Sequence, residues 1–436
     1  MRHWKTPYPP CRELTMSFVS PAPVRKDIRA DFPGIAGRPD RVYLDSAATS
    51  QRPESVIAAE ADFARRDYAA VHRGSSLATG EATYAFETAR ERVAAFIGAG
   101  EREVVWTASA TDALNVVALG MSDASAGLGG DRFALRPGDE ILVTEAEHHA
   151  DLIPWQRLAR RTGAALRWVP VDERGLWTID DLRAQLSSRT RVIAFAHVSN
   201  VTGMIAPVAD IVALAQEAGA LTVLDACQSA PHLPLDLGRL GVDFAAFSGH
   251  KMLGPNGVGV LFGRAELLAE LPPARTGGSA ITTVTMTEAE FLPAPQRFEA
   301  GTQPVTQIVG LGAAVDYLEE LGMANVRAHE DALAAELVDA VVSVPGVRLI
   351  GPPPGAPRAA LASFDVQGVH AHDVGQFLDD RGITVRTGHH CAQPLHRSLG
   401  LTATTRASAS VYTTSAEIAA LHDALGEVRG FFGADR

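Results

Sequence analysis

Lysine is almost missing from this chain. Of its 39 basic residues only Lys5, Lys26 and Lys251 are lysines, so past residue 26 arginine carries every fixed positive charge but one. A guanidinium serves most surface purposes, yet it stays protonated and cannot condense with an aldehyde. A lysine kept alone in the body of the chain therefore marks a place where a primary amine is needed, although GC-rich coding would produce the same excess of arginine. Cysteine is scarce as well. Cys11, Cys227 and Cys391 are too few for a disulfide framework in 436 residues, and a reducing cytoplasm is the expected setting. No stretch approaches the roughly 18 apolar residues of a membrane span. The opening "MRHWKTPYPPCRELTM" has no apolar run to serve as a signal-peptide core, and residues 1–15 carry no periodic pattern, so Met16 is an equally good start. Blocks of like charge are also lacking. A net charge of −12 with both signs interspersed argues against nucleic acid or an anionic membrane as partner, while leaving room for a local cationic pocket.

What is present has the composition of a soluble globular protein, 46% hydrophobic and 21% charged. Its length suits two to three domains or one two-lobed enzyme. Short apolar runs at 103–107, 140–145, 191–198, 221–226, 242–248 and 257–263 alternate with helical patterns. The runs are apolar throughout, as in strands buried on both faces, and the alternation predicts a mostly parallel sheet covered by helices. In "PVADIVALAQEAG", Pro207 suits a first helical position and Gly219 lies just past the end. Two long helical stretches follow, at 304–321 and 323–343, then the loop "GPPPGAP" and shorter elements around 358–367, 371–381 and 416–432. The expected fold is α/β: an irregular arm over 1–40, a large domain over 41–305, and a small C-terminal α+β domain over 306–436.

Open parallel sheets bind ligands beyond the carboxyl ends of their strands. Polar residues gather at those ends: Ser109 to Asp112, His148 and His149, Asn200, Asp225 to Gln228, and Ser248 to Lys251. Lys251 closes an apolar strand in "FSGHKMLGPNG", a rigid perch for an amine that forms an imine with a carbonyl cofactor; an ion-paired or snorkelling lysine is the plainer alternative. Asp225 ends "LTVLDACQ", where a carboxylate is costly unless paired. It either caps a turn or meets a protonated ring nitrogen such as that of pyridoxal phosphate. At about 4 Å and an effective dielectric near 20 that pair is attractive by roughly 4 kcal/mol before desolvation. Ser109 to Thr111 open a helix and offer backbone N–H groups to a phosphate dianion, or merely cap it. His148 in "EAEHHAD" stacks on an aromatic ring or caps the next helix.

Together, "SGHKMLGPNGVGVL", "EHHADLIPWQ", "HVSNVTG", "DACQSAPH", "RFEAGT" and "RTGHHCAQPL" resemble the group II (Suf-type, SufS-like) cysteine desulfurases, of class V of the fold-type I pyridoxal-phosphate enzymes. The likeness runs from about Asp27 to Phe432. It implies pyridoxal 5'-phosphate as cofactor, a fold-type I transferase, and a homodimer with active sites at its interface. By position, Lys251 matches the cofactor-bearing lysine, Asp225 the partner of the ring nitrogen and His148 the stacking histidine. Asn200 and Gln228 match residues near the phenolic oxygen. Thr111, Ser248 and His250 match phosphate ligands, and Thr302 a phosphate contact from the second subunit. Arg406 in "TRASASVY" matches the arginine for the substrate carboxylate, and His72 and Arg73 an interface segment near the active site. Cys391 matches the cysteine that takes up sulfur from L-cysteine, giving L-alanine and a persulfide, and passes it to a SufU- or SufE-like acceptor for iron–sulfur cluster assembly. Ala110, Gln303 and Thr413 depart from the family's habit without removing a reacting group. Selenocysteine lyase or another class V reaction on the same scaffold is the nearer alternative, and a catalytically silent scaffold in cluster assembly the further one.

Cys391 follows two histidines, which raises metal binding. Consecutive residues point in different directions, zinc sites use gapped spacings, and no second Cys/His cluster is present, so no metal site is expected. A free thiol titrates near pH 8.5 (about); His389, His390 and Arg386 would favour the thiolate if they lie close in space. Cys227 and Cys11 lack such company and are expected to be inert.

Overall fold

The apolar runs become strands of one sheet. In the computed structural model, which describes Val24, residues 27–72 and residues 74–434, these are β1 (Val104–Thr107), β2 (Glu140–Thr144), β3 (Ala165–Val169), β4 (Thr190–Ala196), β5 (Leu221–Asp225), β6 (Phe244–Ser248) and β7 (Gly259–Gly263). Their order is β1-β7-β6-β5-β4-β2-β3. Strands β2 to β6 run parallel, and β7 is antiparallel to both neighbours. β1, β2, β6 and β7 are buried at every residue, as a sheet covered on both faces requires. β3 was not among the expected strands. It is the sheet's edge, mostly exposed, and Arg167 interrupts its apolar pattern.

Helices α1 (Glu54–Arg66), α2 (Leu77–Phe96), α3 (Ala110–Asp123), α4 (Ile153–Thr162), α5 (Val208–Ala218) and α6 (Val305–Leu321) accompany this sheet. Gly219 closes α5 at φ +68°, a left-handed conformation that glycine adopts without steric cost. Alternate strand residues feed opposite cores. Trp106, Phe247, Leu224 and Phe195 pack with Phe86, Ile308 and Leu311, whereas Val105, Phe244, Ala246 and Val223 pack with Leu114 and Trp155. Thus α6 joins the large core, beside α1 and α2.

A second, antiparallel sheet has the order β8-β9-β11-β10, from β8 (Val347–Ile350), β9 (Leu361–Val366), β10 (Arg386–Gly388) and β11 (Thr404–Ser408). Helices α7 (Met323–Val342), α8 (Ala371–Asp379) and α9 (Ser415–Phe431) cover it. Val42–Tyr43 pairs in parallel with Ile383–Thr384, and Asp45 bridges to Ser408, so residues 42–45 tie the chain's early part to this sheet. A buried ion pair braces the other side. The Arg90 guanidinium on α2 donates to both Glu299 carboxylate oxygens (2.7 and 2.9 Å), and Trp106 N–H on β1 donates to Glu299 as well (2.8 Å).

Candidate active site

The carboxyl ends of the parallel strands meet β10, β11 and the loop after β10 around a cavity of about 190 Å³. One corner is a ready phosphate cradle. Ser109 caps α3 by accepting from Asp112 N–H (3.2 Å), and Ser248 Oγ accepts from Ala110 N–H (2.8 Å). Thr111 and His250 complete the wall. The turn lies directly on β7 because Gly259 has no side chain: a Cβ there would sit 2.6 Å from Ser109 backbone atoms. Burial, helped by the Lys251 ammonium, lowers His250 to about 4. Its ring is therefore neutral near pH 7 and offers hydrogen bonds there rather than charge.

Next to it lie Asp225 and His148. Asp225 is buried at the end of β5, and its Oδ1 accepts from Cys227 N–H (2.9 Å). It caps a turn and also lines the cavity. His148 does both things too. Its Nδ1 accepts from Ala150 N–H (3.0 Å) while the ring lines the cavity. Burial lowers it to about 4, with Asp225 raising and Lys251 lowering it, so the neutral ring carries its proton on Nε2. Behind this corner Glu147 and Asp151 are fully buried, a pair not foreseen from the sequence. Thr144 Oγ1 donates to Glu147 (2.6 Å) and Trp155 Nε1 to Asp151 (2.8 Å). Burial pushes Glu147 up to about 8 and Asp151 well above the carboxylate range, with Asp225 raising each further. The floor is thus largely uncharged at neutral pH.

Opposite stand Lys251, Arg406 and Cys391. Lys251 ends the short turn Gly249–Lys251 after β6, and among the described residues no hydrogen bond or ion pair engages its amine. Arg406 on β11 is buried; Nη1 donates to Asn200 O (2.8 Å), Nη2 lies 3.3 Å from Asp45 Oδ1, and Nε has no partner among the described residues. Burial lowers it to about 10, against the pull of Asp45, so it stays charged at neutral pH. Asn200 Nδ2 donates to His390 O (2.7 Å) and Gln228 Nε2 to Ala47 O (2.8 Å), which leaves each amide one further N–H. Cys391 is half-buried, at φ +59°, with Sγ 4.0 Å from Arg386 Nη2. Cys227 is different: burial, and Asp225 beside it, push its thiol far above the ordinary range.

Thr111, His148, Asn200, Asp225, Gln228, Ser248, His250, Lys251, Cys391 and Arg406 therefore surround one cavity. His390 does not serve as the cation expected beside the thiol. At φ +49° its ring is buried with Nε2 at 2.9 Å from Thr404 Oγ1, and burial together with Arg406 holds it well below the usual imidazole range. Of the three expected neighbours, Arg386 is the one that reaches sulfur. Thr302 and His72 line a separate cavity of about 250 Å³ with Glu299 and Gln303, and Arg73 lies outside the described residues, as do Cys11, Lys5 and Lys26. Asp45, Glu147, Asp151 and Gly259 were not foreseen. Only Asp45, a carboxylate straight after the apolar "VYL", carried a signal that could have found it. A larger cavity of about 590 Å³ opens at the amino ends of the strands. Its arginines 132, 136, 191 and 264 are all ion-paired to carboxylates, so it presents little uncompensated charge. Among the described residues no group of three His, Cys, Asp or Glu is arranged to hold a metal ion, and no helix is long and apolar enough to cross a membrane.

Comparison with known proteins gives the following. Residues 42–421 match the Aminotransferase class-V family. The chain is 54% identical to a probable cysteine desulfurase 2 of Mycobacterium leprae, over 93% of this chain and 97% of that one. Its fold matches the crystal structure of the cysteine desulfurase CsdA (S-sulfonic acid) from Escherichia coli with TM-score 0.84 and 36% identity, covering 93% and 98% of the two chains. A C-DES variant with glycine covalently linked to its pyridoxal-phosphate cofactor matches with TM-score 0.77 and 26% identity, over 92% and 99%.

Proposed function

Because this chain belongs to the aminotransferase class-V family, we propose that it is a group II (Suf-type) cysteine desulfurase, converting L-cysteine to L-alanine and keeping the sulfur as a persulfide on Cys391. Its cofactor is pyridoxal 5'-phosphate. The cavity's residues fit that group: a helix N-terminus with Ser248 and His250 for the phosphate, a buried Asp225 for the ring nitrogen, a neutral His148 ring for its face, and the Lys251 amine, which no side chain among the described residues engages. When bound, the cofactor supplies an electron sink for negative charge at the substrate α-carbon.

The chain's own residues then divide the work. Arg406 holds the substrate carboxylate with a fork matched to it. Lys251 Nζ, which would hold the cofactor, would also serve to take the α-proton. Cys391 Sγ attacks the substrate sulfur, so that an S–S bond forms as the C–S bond breaks and the electron pair stays with carbon, which is protonated to give L-alanine. Arg386 Nη2 stands 4.0 Å from Sγ, on the side of the cavity from which the thiol would attack. The observation that carries this reading is the meeting of Lys251, Arg406 and Cys391 on one cavity. In a homodimer, the face bearing Thr302 and His72 would turn toward the partner's cofactor. A SufU- or SufE-like acceptor in the cytoplasm would then relieve Cys391 of its sulfur for iron–sulfur cluster assembly.

Cys391→Ser tests it. The variant should bind cofactor and cysteine yet release almost no alanine, while the wild type without acceptor should stall with one extra sulfur on the peptide containing Cys391, read by mass spectrometry. Extra sulfur on Cys227, or normal turnover by the variant, would overturn the reading.

A further inference from the structure

Three buried side chains behind the cavity form a hydrogen-bond chain whose direction can be worked out. His396 Nδ1 lies 3.0 Å from Ala392 O. A carbonyl only accepts, so Nδ1 carries hydrogen. Burial holds this ring below the usual imidazole range, so it is neutral and Nε2 presents a lone pair. Thr404 Oγ1, at 2.9 Å, must donate to it. The hydroxyl's own lone pair then receives His390 Nε2–H, also at 2.9 Å. The reverse direction would set the lone pair of His396 Nδ1 against that of Ala392 O in a site closed to water, which is unfavourable. His390 and His396 are 3% and 0% exposed and Thr404 is 0% exposed, so water cannot substitute for any member.

The chain ends on the loop that carries Cys391. His390 and Cys391 both have left-handed backbones, φ +49° and +59°, which non-glycine residues hold only when their surroundings impose it. Here three consecutive carbonyls are held: His390 O by Asn200 Nδ2 (2.7 Å), Cys391 O by His149 N–H (2.6 Å) and Ala392 O by His396 Nδ1. Gln393 N–H donates to His149 Nε2 (3.1 Å) and closes the clamp. The carbonyls restrain the loop's path, and the His390 ring ties its side-chain face to β11 through the Thr404 hydroxyl, a closer link than the 4.0 Å contact from Arg386 to Sγ. Thr404 sits two residues before Arg406 on β11, on the same face, so one strand spaces the clamp from the carboxylate site.

We propose that the His396–Thr404–His390 chain positions Cys391 for attack on the substrate sulfur, with Thr404 as its central positioning residue. The inference rests on Cys391 being the sulfur acceptor. Thr404→Val keeps the volume and removes both halves of the link; Thr404→Ser keeps the hydroxyl. His390→Phe keeps ring bulk and removes the Nε2 donor. In the holoenzyme, single-turnover persulfide formation on Cys391 is followed by quenched mass spectrometry, beside the cysteine KM, the cofactor absorbance and the rate of Cys391 alkylation by iodoacetamide. A loosened loop misplaces the thiol, which costs roughly ten- to a hundredfold in rate. Thr404→Val and His390→Phe should show that loss with KM and absorbance kept, and should alkylate faster. Thr404→Ser should stay close to wild type. Persulfide formation at the wild-type rate in either Thr404→Val or His390→Phe would overturn the positioning role. So would a Thr404→Ser variant as slow as Thr404→Val, since the hydroxyl would then not matter. A wild type that places no sulfur on Cys391 would overturn the functional reading itself, and this inference with it.

Discussion

Replacing Arg406 by alanine should weaken cysteine binding and leave the chemistry intact. The guanidinium is buried, bonded on one side to Asn200 O and on the other to Asp45, with Nε unengaged among the described residues. A substrate carboxylate would add hydrogen bonds to a charged group, worth about 1.5–3 kcal/mol. At about 1.36 kcal/mol per factor of ten, its loss corresponds to a KM higher by roughly ten- to a hundredfold. The carboxylate keeps its charge throughout the reaction, so the contact is as strong in the ground state as in the transition state. Loss of such uniform binding raises KM with little change in kcat. The fold should tolerate the change, because burial already raises the Asp45 carboxyl and it can take up a proton once its partner is gone. Arg406→Lys keeps a charge without the fork and should fall between. Initial rates of alanine release against cysteine concentration, with cofactor absorbance recorded alongside, decide the matter. An unchanged KM would show that another group anchors the substrate, and a fall in kcat alone would place Arg406 in the chemistry.

Lys251→Ala should give a folded protein with little or no colour, since the large domain holds no other lysine; a borohydride-reducible protein–cofactor bond persisting in the variant would sink the assignment. Glu299→Ala removes the buried carboxylate that engages both Nη atoms of the Arg90 guanidinium, 2% exposed, and should cost roughly 3–5 kcal/mol in urea unfolding. A shift below about 1 kcal/mol would show that the other two acceptors of Arg90, the Glu87 carboxylate (2.8 Å from Nε) and the Val104 carbonyl (2.7 Å from Nη1), suffice. Acid should destabilise the protein through its buried imidazoles. Burial pulls His148, His197 and His250 to about 4, whereas the unfolded chain binds those protons near pH 6.5 (about). Their depressed values mean that stability is fully present above that point and is lost as the pH falls toward 4. These three alone should contribute a slope of roughly 3 kcal/mol per pH unit near pH 5, with partly exposed His250 given less weight. Glu147 and Asp151 offset it in part, because their raised carboxyls hold protons in the fold at that pH. Urea midpoints that do not change between pH 7 and pH 5 would refute this.

The amino-acid order alone determined the parts whose signals are local. Unbroken apolar runs announced six of the seven strands in the large sheet, because a strand buried on both faces has to be apolar at each position. Polar residues straight after those runs marked Lys251, Asp225, His148 and Asn200, because parallel strands deliver their ends to one edge. Long-range packing decided the rest. The edge strand β3 faces water, so no period-two pattern betrays it. Asp45 meets Arg406 across 361 positions of sequence, and only the pairing of Val42–Tyr43 with Ile383–Thr384 brings them together. The Cys391 loop is the sharpest case. Sequence offered His389, His390 and Arg386 alike as neighbours of the thiol, but a left-handed backbone sends the His390 ring into Thr404, and of the three it is Arg386 whose side chain is in contact with the sulfur. Side-chain direction at such positions follows from backbone angles and from hydrogen-bond partners on another strand, and neither is written in the spacing of the residues.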